Sequence, residues 1–188
     1  MILIIGLGNP GQEYGQTRHN IGFIILNKFI EETGILNQFS KFNSILIKSE
    51  YAGKAMLCVK PCTFMNNSGS AVSKVIEHFE GKIESIIIIH DDLDIEFGQI
   101  KLKSGGGTGG HNGLESIVKK LGHFDFDRLR FGIGRPPGRK DPADFVLSKF
   151  KRSETRELDS IITISVEALK GYVENGINYA MNKYNCCL

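Results

Sequence analysis

Short apolar runs that end abruptly at glycine or at ionisable residues recur along this chain. In Ile86–Ile89 the apolar residues are consecutive and not alternating, which is typical of a strand buried on both faces. Four residues are too few for a helix, and β-branching favours extended backbone. Ile2–Ile5 is a second such run, directly before Gly6. The two runs predict buried strands of an α/β sheet.

Other segments alternate or repeat with a helical period. Alternation predicts strands at Ser44–Tyr51, Lys54–Lys60, Phe97–Lys103 and Arg128–Ile133. Apolar residues at helical spacing predict helices at Ile21–Thr33, after Ser68, at Leu114–Leu121 and at Ser153–Glu174. No linker rich in Pro, Gly or Ser divides the chain, so we expect one domain over residues 1–188.

The composition is that of an ordinary globular protein, with 41% hydrophobic and 23% charged residues. Ile2–Ile5 has no basic flank and is too short for a signal peptide or a membrane span, so we expect a cytoplasmic protein. The four cysteines lack C-x-x-C spacing, and Cys186 and Cys187 are adjacent, which disfavours an ordinary disulfide. We therefore expect reduced thiols.

The net charge of +2 is unevenly distributed. Residues 99–140 contain nine Lys and Arg residues against three acids. Such an excess beside a glycine-rich loop suggests a surface for a polyanion, with ordinary solvated charge as the alternative. The positive residues are Lys101, Lys103, Lys119, Lys120, Arg128, Arg130, Arg135, Arg139 and Lys140.

Gly6–Gly11 has the dinucleotide-binding pattern G-x-G-x-x-G, but its context argues against that function. A dinucleotide loop opens directly into a helix whose first turn receives the pyrophosphate. Here a polar stretch without helical period, residues 12–20, separates Gly11 from the predicted helix. His19 lies at the end of that stretch, directly before the helix begins.

The candidate functional side chains follow predicted strands or precede predicted helices. Because the carboxyl ends of parallel strands meet at one edge of a sheet, we expect these side chains to lie at that edge. Gly105–Gly110 has five glycines in six positions, which predicts a mobile loop. Its amide N–H groups can donate to phosphate or to an oxyanion, and Lys103 precedes the loop; a plain flexible turn is the alternative. The candidates at this edge are Asn9, His19, Asn66, Asp91, His111 and Asn112.

Phe64 and Met65 precede the helix that follows Ser68, and their role depends on their exposure. If they are exposed beside a polar cleft, they offer an apolar or stacking surface to a ligand. If they are buried, they belong to the core.

A histidine and an aspartate among several asparagines suit ester hydrolysis by an activated water. A carboxylate bonded to one imidazole nitrogen fixes the tautomer, and the other nitrogen can then take a proton from water. Amide side chains can stabilise the oxyanion. A metal hydrolase is the rival, but H-x-x-x-H spacing is missing and Asn is a poor zinc ligand. Serine chemistry lacks a G-x-S-x-G motif.

Five blocks of the sequence resemble bacterial-type peptidyl-tRNA hydrolase in order and spacing. They are Gly6–Gly11 with Tyr14 and Thr17–Asn20, then Lys60–Gly69, Asp91–Asp94, Gly105–Leu114 and Arg128–Pro136. The resemblance runs from end to end of the chain. It implies an α/β single-domain three-layer sandwich with a twisted mixed sheet flanked by helices, acting as a monomer without metal or other cofactor. The implied activity is hydrolysis of the ester between a peptide and the terminal ribose of tRNA, which frees the tRNA for reuse.

The resemblance also implies residue roles. His19 resembles the general base, Asp91 its orienting carboxylate, and Asn9 the residue that distinguishes blocked from free aminoacyl groups. Lys103 and Arg130 resemble a phosphate clamp, which the basic segment supports independently. Substrate contacts are implied for Tyr14, Phe64, Asn66, His111 and Asn112, with Asn66 or Asn112 serving the oxyanion. An RNA-binding module that grips the tRNA end without cutting is the alternative from another class.

Overall fold

Seven strands form one mixed sheet in the computed structural model, which describes residues 1–185. The strands are β1 (Ile2–Gly6), β2 (Asn37–Lys41), β3 (Ser44–Tyr51), β4 (Lys54–Pro61), β5 (Ser85–Asp92), β6 (Ile100–Ser104) and β7 (Asp127–Gly132). The helices are α1 (Ile21–Thr33), α2 (Ser68–His78), α3 (Asn112–Leu121), α4 (Pro142–Val146) and α5 (Arg152–Tyr184). Cys58 and Cys62 are free thiols, whereas Cys186 and Cys187 lie outside the described residues.

The strand order across the sheet is β2-β3-β4-β1-β5-β7-β6. The four strands from β4 to β7 in this order pair in parallel, and the outer strands β3, β2 and β6 are antiparallel to their neighbours. The carboxyl ends of β1, β5 and β7 therefore meet at one edge, where an open α/β sheet binds its ligands.

Helices cover both faces of the sheet, and the side chains of β1 divide between the two cores. Ile2 and Ile4 pack with residues of α1 and α5, whereas Leu3 and Ile5 pack with residues of α2 and α3. Burial on both faces explains why the central strands are continuously apolar. The predicted three-layer α/β sandwich with a mixed sheet is confirmed.

Most predicted elements agree with the structure, and the differences have local causes. The α1 helix has the predicted bounds. The strand predicted from Phe97 begins only at Ile100, because the amide of Gln99 closes a turn on the Glu96 carbonyl. The final helix continues beyond Glu174 to Tyr184, across a kink at Gly176 with φ 81°.

Two elements escaped the sequence patterns. In β2, four of five residues are exposed, so the strand has no buried face to produce an alternation, and it is held by pairing with β3. The α4 helix has only five residues; Asp141 caps it by accepting from the Ala143 amide at 2.9 Å, and Pro142 starts it.

The loop after β1 does not enter a helix directly, in agreement with the argument against a dinucleotide site. Two short 3-10 turns, Gln12–Tyr14 and Arg18–Asn20, intervene before α1. Within residues 1–185, no helix is both long enough and apolar enough to cross a membrane.

Candidate active site

Asp91 and His19 form a buried hydrogen-bonded pair at the carboxyl edge of the sheet. Nδ1 of His19 lies 2.9 Å from Oδ1 and 3.1 Å from Oδ2 of Asp91, the penultimate residue of β5. His19 lies in the 3-10 turn that leads into α1. Gly22 permits this approach, because a Cβ atom there would overlap the Ile89 carbonyl oxygen of β5. The start of α1 can therefore rest directly against the end of β5.

His111 binds the same carboxylate, at the oxygen atom to which His19 is nearest. Its Nε2 lies 3.0 Å from Asp91 Oδ1. Its Nδ1 accepts from the amides of Gly113 and Leu114 at 3.2 and 3.3 Å, so the imidazole is the N-cap of α3. Because Nδ1 is an acceptor, the ring proton is on Nε2, and His111 donates to Asp91.

The two histidines keep Asp91 ionised. Burial by itself would raise the pKa of the Asp91 carboxyl, but its interactions with His111 and His19 outweigh burial and hold that pKa well below its ordinary value. A permanently ionised carboxylate places the His19 proton on Nδ1. The Nε2 lone pair of His19 is then free to accept a proton.

His90 supports this arrangement from inside the protein. Its Nδ1 donates to the Asp91 carbonyl oxygen at 2.6 Å, and its ring lies 5.0 Å from that of His111. Burial first, and the neighbouring His111 second, lower the pKa of His90 to about 3. His90 is therefore neutral at physiological pH. Its buried Nε2 has no hydrogen-bond partner among the residues that the structure describes.

Two compartments of a cleft meet at His19. The glycine-loop compartment, of about 300 Å³, is lined by His19, Asp91, Asp92, Leu93, residues 108–112, residues 141–143 and Val146. The asparagine compartment, of about 350 Å³, is lined by Asn9, Tyr14, His19, Phe64, Met65, Asn66, Asn112, Ala143, Val146 and Leu147. A ligand that spans both compartments passes His19.

Asn9 is fixed on three sides in the asparagine compartment. Its Oδ1 accepts from the Met65 amide at 2.8 Å, which leaves its Nδ2 group for a ligand. Asn20 holds the Asn9 backbone through two bonds, accepting from its amide at 2.8 Å and donating to its carbonyl at 2.9 Å. The Asn9 donor is therefore preorganised before any ligand arrives.

Asn66 and Asn112 are exposed and line the same compartment. They meet because the start of α3 packs tightly on the turn before α2: a Cβ at Gly113 would lie only 2.5 Å from the Met65 sulfur. The sequence left open whether Phe64 and Met65 are exposed. Phe64 is 59% exposed, whereas Met65 is buried and belongs to a core cluster.

Tyr14 and Phe64 form an aromatic pair beside the asparagine compartment. Their ring centroids are 6.3 Å apart and the rings are nearly perpendicular. Such an edge-to-face pair offers a rigid apolar surface to a ligand at the cleft.

A metal ion would have to compete with the hydrogen bonds just described. Among the described residues, His19, Asp91 and His111 are the one group whose potential ligand atoms lie within 4.8 Å of one another. A metal at His111 Nε2 would require the ring proton to move to Nδ1, where two helix amides already donate. The hydrogen-bond pattern thus favours a metal-free use of these side chains.

The predicted phosphate-binding residues line neither compartment of the cleft: Lys103 is exposed on β6, and Arg130 is partly buried on β7. Lys103 is paired with Arg128, and Arg128 with Ile88, which is three residues before Asp91 along β5. Lys103 therefore lies about 10 Å from the level of Asp91 along the strands. Arg130 is nearer, but its Nε is bound to Asp92 Oδ2 at 2.8 Å.

Arg128 ties the first half of the glycine-rich loop to the sheet. Its guanidinium donates to the Gly107 carbonyl at 2.6 Å and also to the Gly105 carbonyl. The sequence predicted a mobile loop because glycines are conformationally free. In the structure both carbonyls accept hydrogen bonds from Arg128, which fixes the first half of the loop to β7.

The structure brings the predicted His19, Asp91, His111 and asparagines to one cleft, and it adds supporting residues that the sequence did not reveal. Arg18 and Asn20 flank His19, yet a single sequence gives no sign that each is buried and bound to a distant segment. The side chains of α4 were also missed, because that helix is too short to produce a period. The one local signal in the sequence was Asp141-Pro142, a capping residue followed by a proline, which is typical of a helix start.

The fold and the site together define a class of protein: an α/β protein whose cleft holds a hydrogen-bonded histidine and carboxylate, an arrangement that suits hydrolases. The family model described as Peptidyl-tRNA hydrolase matches residues 3–187. The chain belongs to the peptidyl-tRNA hydrolase family.

Individual relatives agree with this assignment. Peptidyl-tRNA hydrolase of Syntrophotalea carbinolica is 42% identical over 185 residues, which cover 98% of this chain and 97% of the relative. That of Mycobacterium tuberculosis (strain H37Rv) is 43% identical over 183 residues, covering 97% and 96%. A crystal structure of peptidyl-tRNA hydrolase from Acinetobacter baumannii has a TM-score of 0.91 at 38% identity, covering 98% of this chain and 94% of that one.

Proposed function

We propose that this protein hydrolyses the ester between a peptide, or an N-blocked aminoacyl group, and the terminal ribose of tRNA. The observation that carries the proposal is the His19–Asp91 pair at 2.9 Å, at the junction of two compartments lined by asparagine amides. Membership of the peptidyl-tRNA hydrolase family supports the identity of the substrate. The product is free tRNA, available again for translation.

His19 is the general base in the proposed mechanism. Its Nε2 takes a proton from a water molecule, which attacks the ester carbonyl, and Asp91 stabilises the imidazolium that forms. The proton then passes from His19 to the departing ribose oxygen. General base help of this kind typically supplies about 10²- to 10⁴-fold in rate. No covalent intermediate is formed.

Amide groups hold the carbonyl and its developing charge. Asn66 and Asn112 line the compartment beside His19, and either one can donate to the oxyanion. One well-placed donor typically supplies about 10²- to 10³-fold. The Nδ2 group of Asn9, aimed by its bond to Met65, recognises the carbonyl of a blocked amino group and so distinguishes a peptide from a free aminoacyl group.

The tRNA is bound by the basic face of β6 and β7. Lys103 is exposed there and Arg130 lies one pleat nearer to the cleft. Because Lys103 lies about 10 Å from the level of Asp91 along the strands, it can hold a backbone phosphate while the terminal ester lies at His19. Tyr14 and Phe64 contact the peptide or the tRNA end beside the asparagine compartment.

The test is turnover of N-acetylaminoacyl-tRNA by wild type, His19→Ala and His123→Ala, each with and without a chelator. His123 is a matched control because its side chain is 46% exposed in a separate loop. We expect His19→Ala to lose about 10²- to 10⁴-fold while the control retains full activity. Undiminished turnover by His19→Ala contradicts the base assignment, and a chelator-dependent rate favours the metal hydrolase.

The same experiment separates an enzyme from a binding module. If the acyl bond survives mixing with a stoichiometric amount of wild-type protein, the chain binds tRNA without cutting it.

We further propose that the protein acts in the cytoplasm as a monomer built of one domain. Sedimentation of the protein with and without tRNA tests whether it is a monomer.

A further inference from the structure

Arg18, the residue before His19, is a buried cation that holds a distant segment. Its side chain is 1% exposed, and its guanidinium donates to Glu154 Oε2 at 2.6 Å and to the Lys149 carbonyl oxygen. The guanidinium carbon lies 4.5 Å from the ring centre of Phe145 and 4.9 Å from that of Phe150. The contacts of Arg18 therefore converge on one stretch of chain, residues 145–154.

The backbone strengthens the same connection. The Arg18 amide donates to the Ser148 carbonyl at 3.0 Å, and Thr17 forms an isolated antiparallel bridge with Lys149. We call residues 141–150, which include α4, the strap. Because these bonds begin at the residues directly before His19, the strap and the turn that carries the base are joined as one body.

The strap forms the wall of the cleft that faces His19. Ala143 and Val146 line both compartments, and Leu147 lines the asparagine compartment. Phe145 points the other way, is buried, and lies under the Arg18 guanidinium. The contact between Phe145 and Arg18 therefore sets the distance between His19 and the apolar strap residues that face it.

A purely stabilising role is a poor explanation for this arrangement. A buried ion pair adds little net stability compared with apolar side chains of similar volume, since both charges lose their hydration. What an arginine provides in addition is direction, because its planar fork fixes two partners and two stacked rings at once. The geometry of Arg18 thus points to a role in position and not in stability alone.

We propose that Arg18 is a positioning residue that fixes the strap against the His19 turn and so selects the acyl group by its fit to the wall. The proposal rests on the proposed function, because the acyl group of the substrate is the group that meets Ala143, Val146 and Leu147. A loosened wall binds a bulky acyl group less well and matters little to a small one. The effect is therefore expected in KM more than in kcat.

The experiment compares N-acetylphenylalanyl-tRNA with N-acetylglycyl-tRNA as substrates of wild type, Arg18→Met and Arg18→Lys. Arg156→Met, exposed on α5, is the matched control. For Arg18→Met we expect the kcat/KM ratio of the phenylalanyl to the glycyl substrate to fall about tenfold, the lower end of what apolar pocket contacts contribute to discrimination. Arg18→Lys should recover part of the ratio, and the control should keep it. An equal loss on both substrates, or loss in kcat alone, overturns the proposal.

A second measurement does not depend on catalysis. Amide hydrogen exchange of residues 143–149 should quicken in Arg18→Met and, to a smaller extent, in Glu154→Gln, while exchange in β5 stays as in wild type. Glu154→Gln also carries both tests if Arg18→Met does not fold. If wild type does not hydrolyse the tRNA esters, the proposed function fails. If the amide exchange of the strap is unchanged in both variants, Arg18 does not fix the strap, and the positioning role is refuted.

Discussion

His111 donates from Nε2 to Asp91 Oδ1 at 3.0 Å, so the cap of one helix is also a partner of the carboxylate that orients His19. The two amides that His111 accepts from α3 determine which ring nitrogen carries the proton. The start of α3 and the end of β5 are thereby linked through a single imidazole. Because the Asp91 carboxylate accepts hydrogen bonds from two histidines, its interaction with each of them is weaker than with a single partner.

Loss of His111 should shift the pH dependence of hydrolysis. Without this donor the pKa of Asp91 rises, and its carboxylate then interacts with His19 as its one remaining imidazole partner. We therefore expect the acid limb of the kcat/KM profile of His111→Asn to move to higher pH, measured with N-acetylaminoacyl-tRNA.

Two substitutions separate the two roles of His111. Asparagine is a good N-cap, so His111→Asn should be about 1 kcal/mol more stable than His111→Ala, although both variants lose the hydrogen bond to Asp91. Both variants should show the same shift of the acid limb. A profile that stays in place in both would mean that His111 has no influence on the base.

His90 should make the fold sensitive to acid. Its pKa is about 3 in the folded protein against 6.5 for a free histidine. Between these values the unfolded chain binds a proton that the folded chain does not, so the free energy of unfolding decreases as pH falls from 6.5 towards 3. The depressed pKa of Asp91 adds a loss of the same sign at still lower pH.

Urea unfolding at a series of pH values tests the contribution of His90. His90→Asn keeps a donor for the Asp91 carbonyl but cannot titrate, so its stability should decline less steeply than that of wild type below neutral pH. His123→Asn, in an exposed loop, should follow wild type. Parallel curves for wild type and His90→Asn would be incompatible with a buried neutral His90.

Lys103 should act on tRNA binding and not on ester chemistry. Lys103→Ala is expected to reduce the slope of log affinity for tRNA against log salt by about one unit, since one phosphate contact is lost. Lys48→Ala, exposed on β3 in the other half of the sheet, is the matched control and should leave the slope unchanged. Hydrolysis of small esters should be unaffected by either change, and equal losses on esters and tRNA would contradict a phosphate contact.

Gly22→Ala should separate the base from its carboxylate. The added methyl would overlap the carbonyl oxygen of Ile89, which is backbone and cannot move aside, so α1 must retreat from β5. We expect a stability loss of about 3 kcal/mol, the upper end for overpacking, together with a fall in turnover. Thermal melting measures the stability of both variants. Gly107→Ala is the control: a Cβ atom there meets open space, so this variant should melt like wild type.

The sequence by itself determined the elements whose burial produces a period. Ile86–Ile89 had to be a strand covered on both faces, and the spacing of apolar residues placed α1 from Ile21 to Thr33. It also nominated candidate site residues, because five motif blocks in the family's order singled out His19, Asp91 and the asparagines. Such features are local or matched in order, so they need no knowledge of which segments touch.

Only the tertiary structure decided which partner each site residue has. His111, implied to contact substrate, lies on Asp91, and Arg130, implied to bind phosphate, is bound to Asp92. Arg18 finds Glu154 across 136 residues. A hydrogen bond depends on the distance and direction between two atoms, and packing of α1 and the strap onto the sheet sets both. No periodicity in the sequence contains that information, because contact between remote segments is a property of the folded chain.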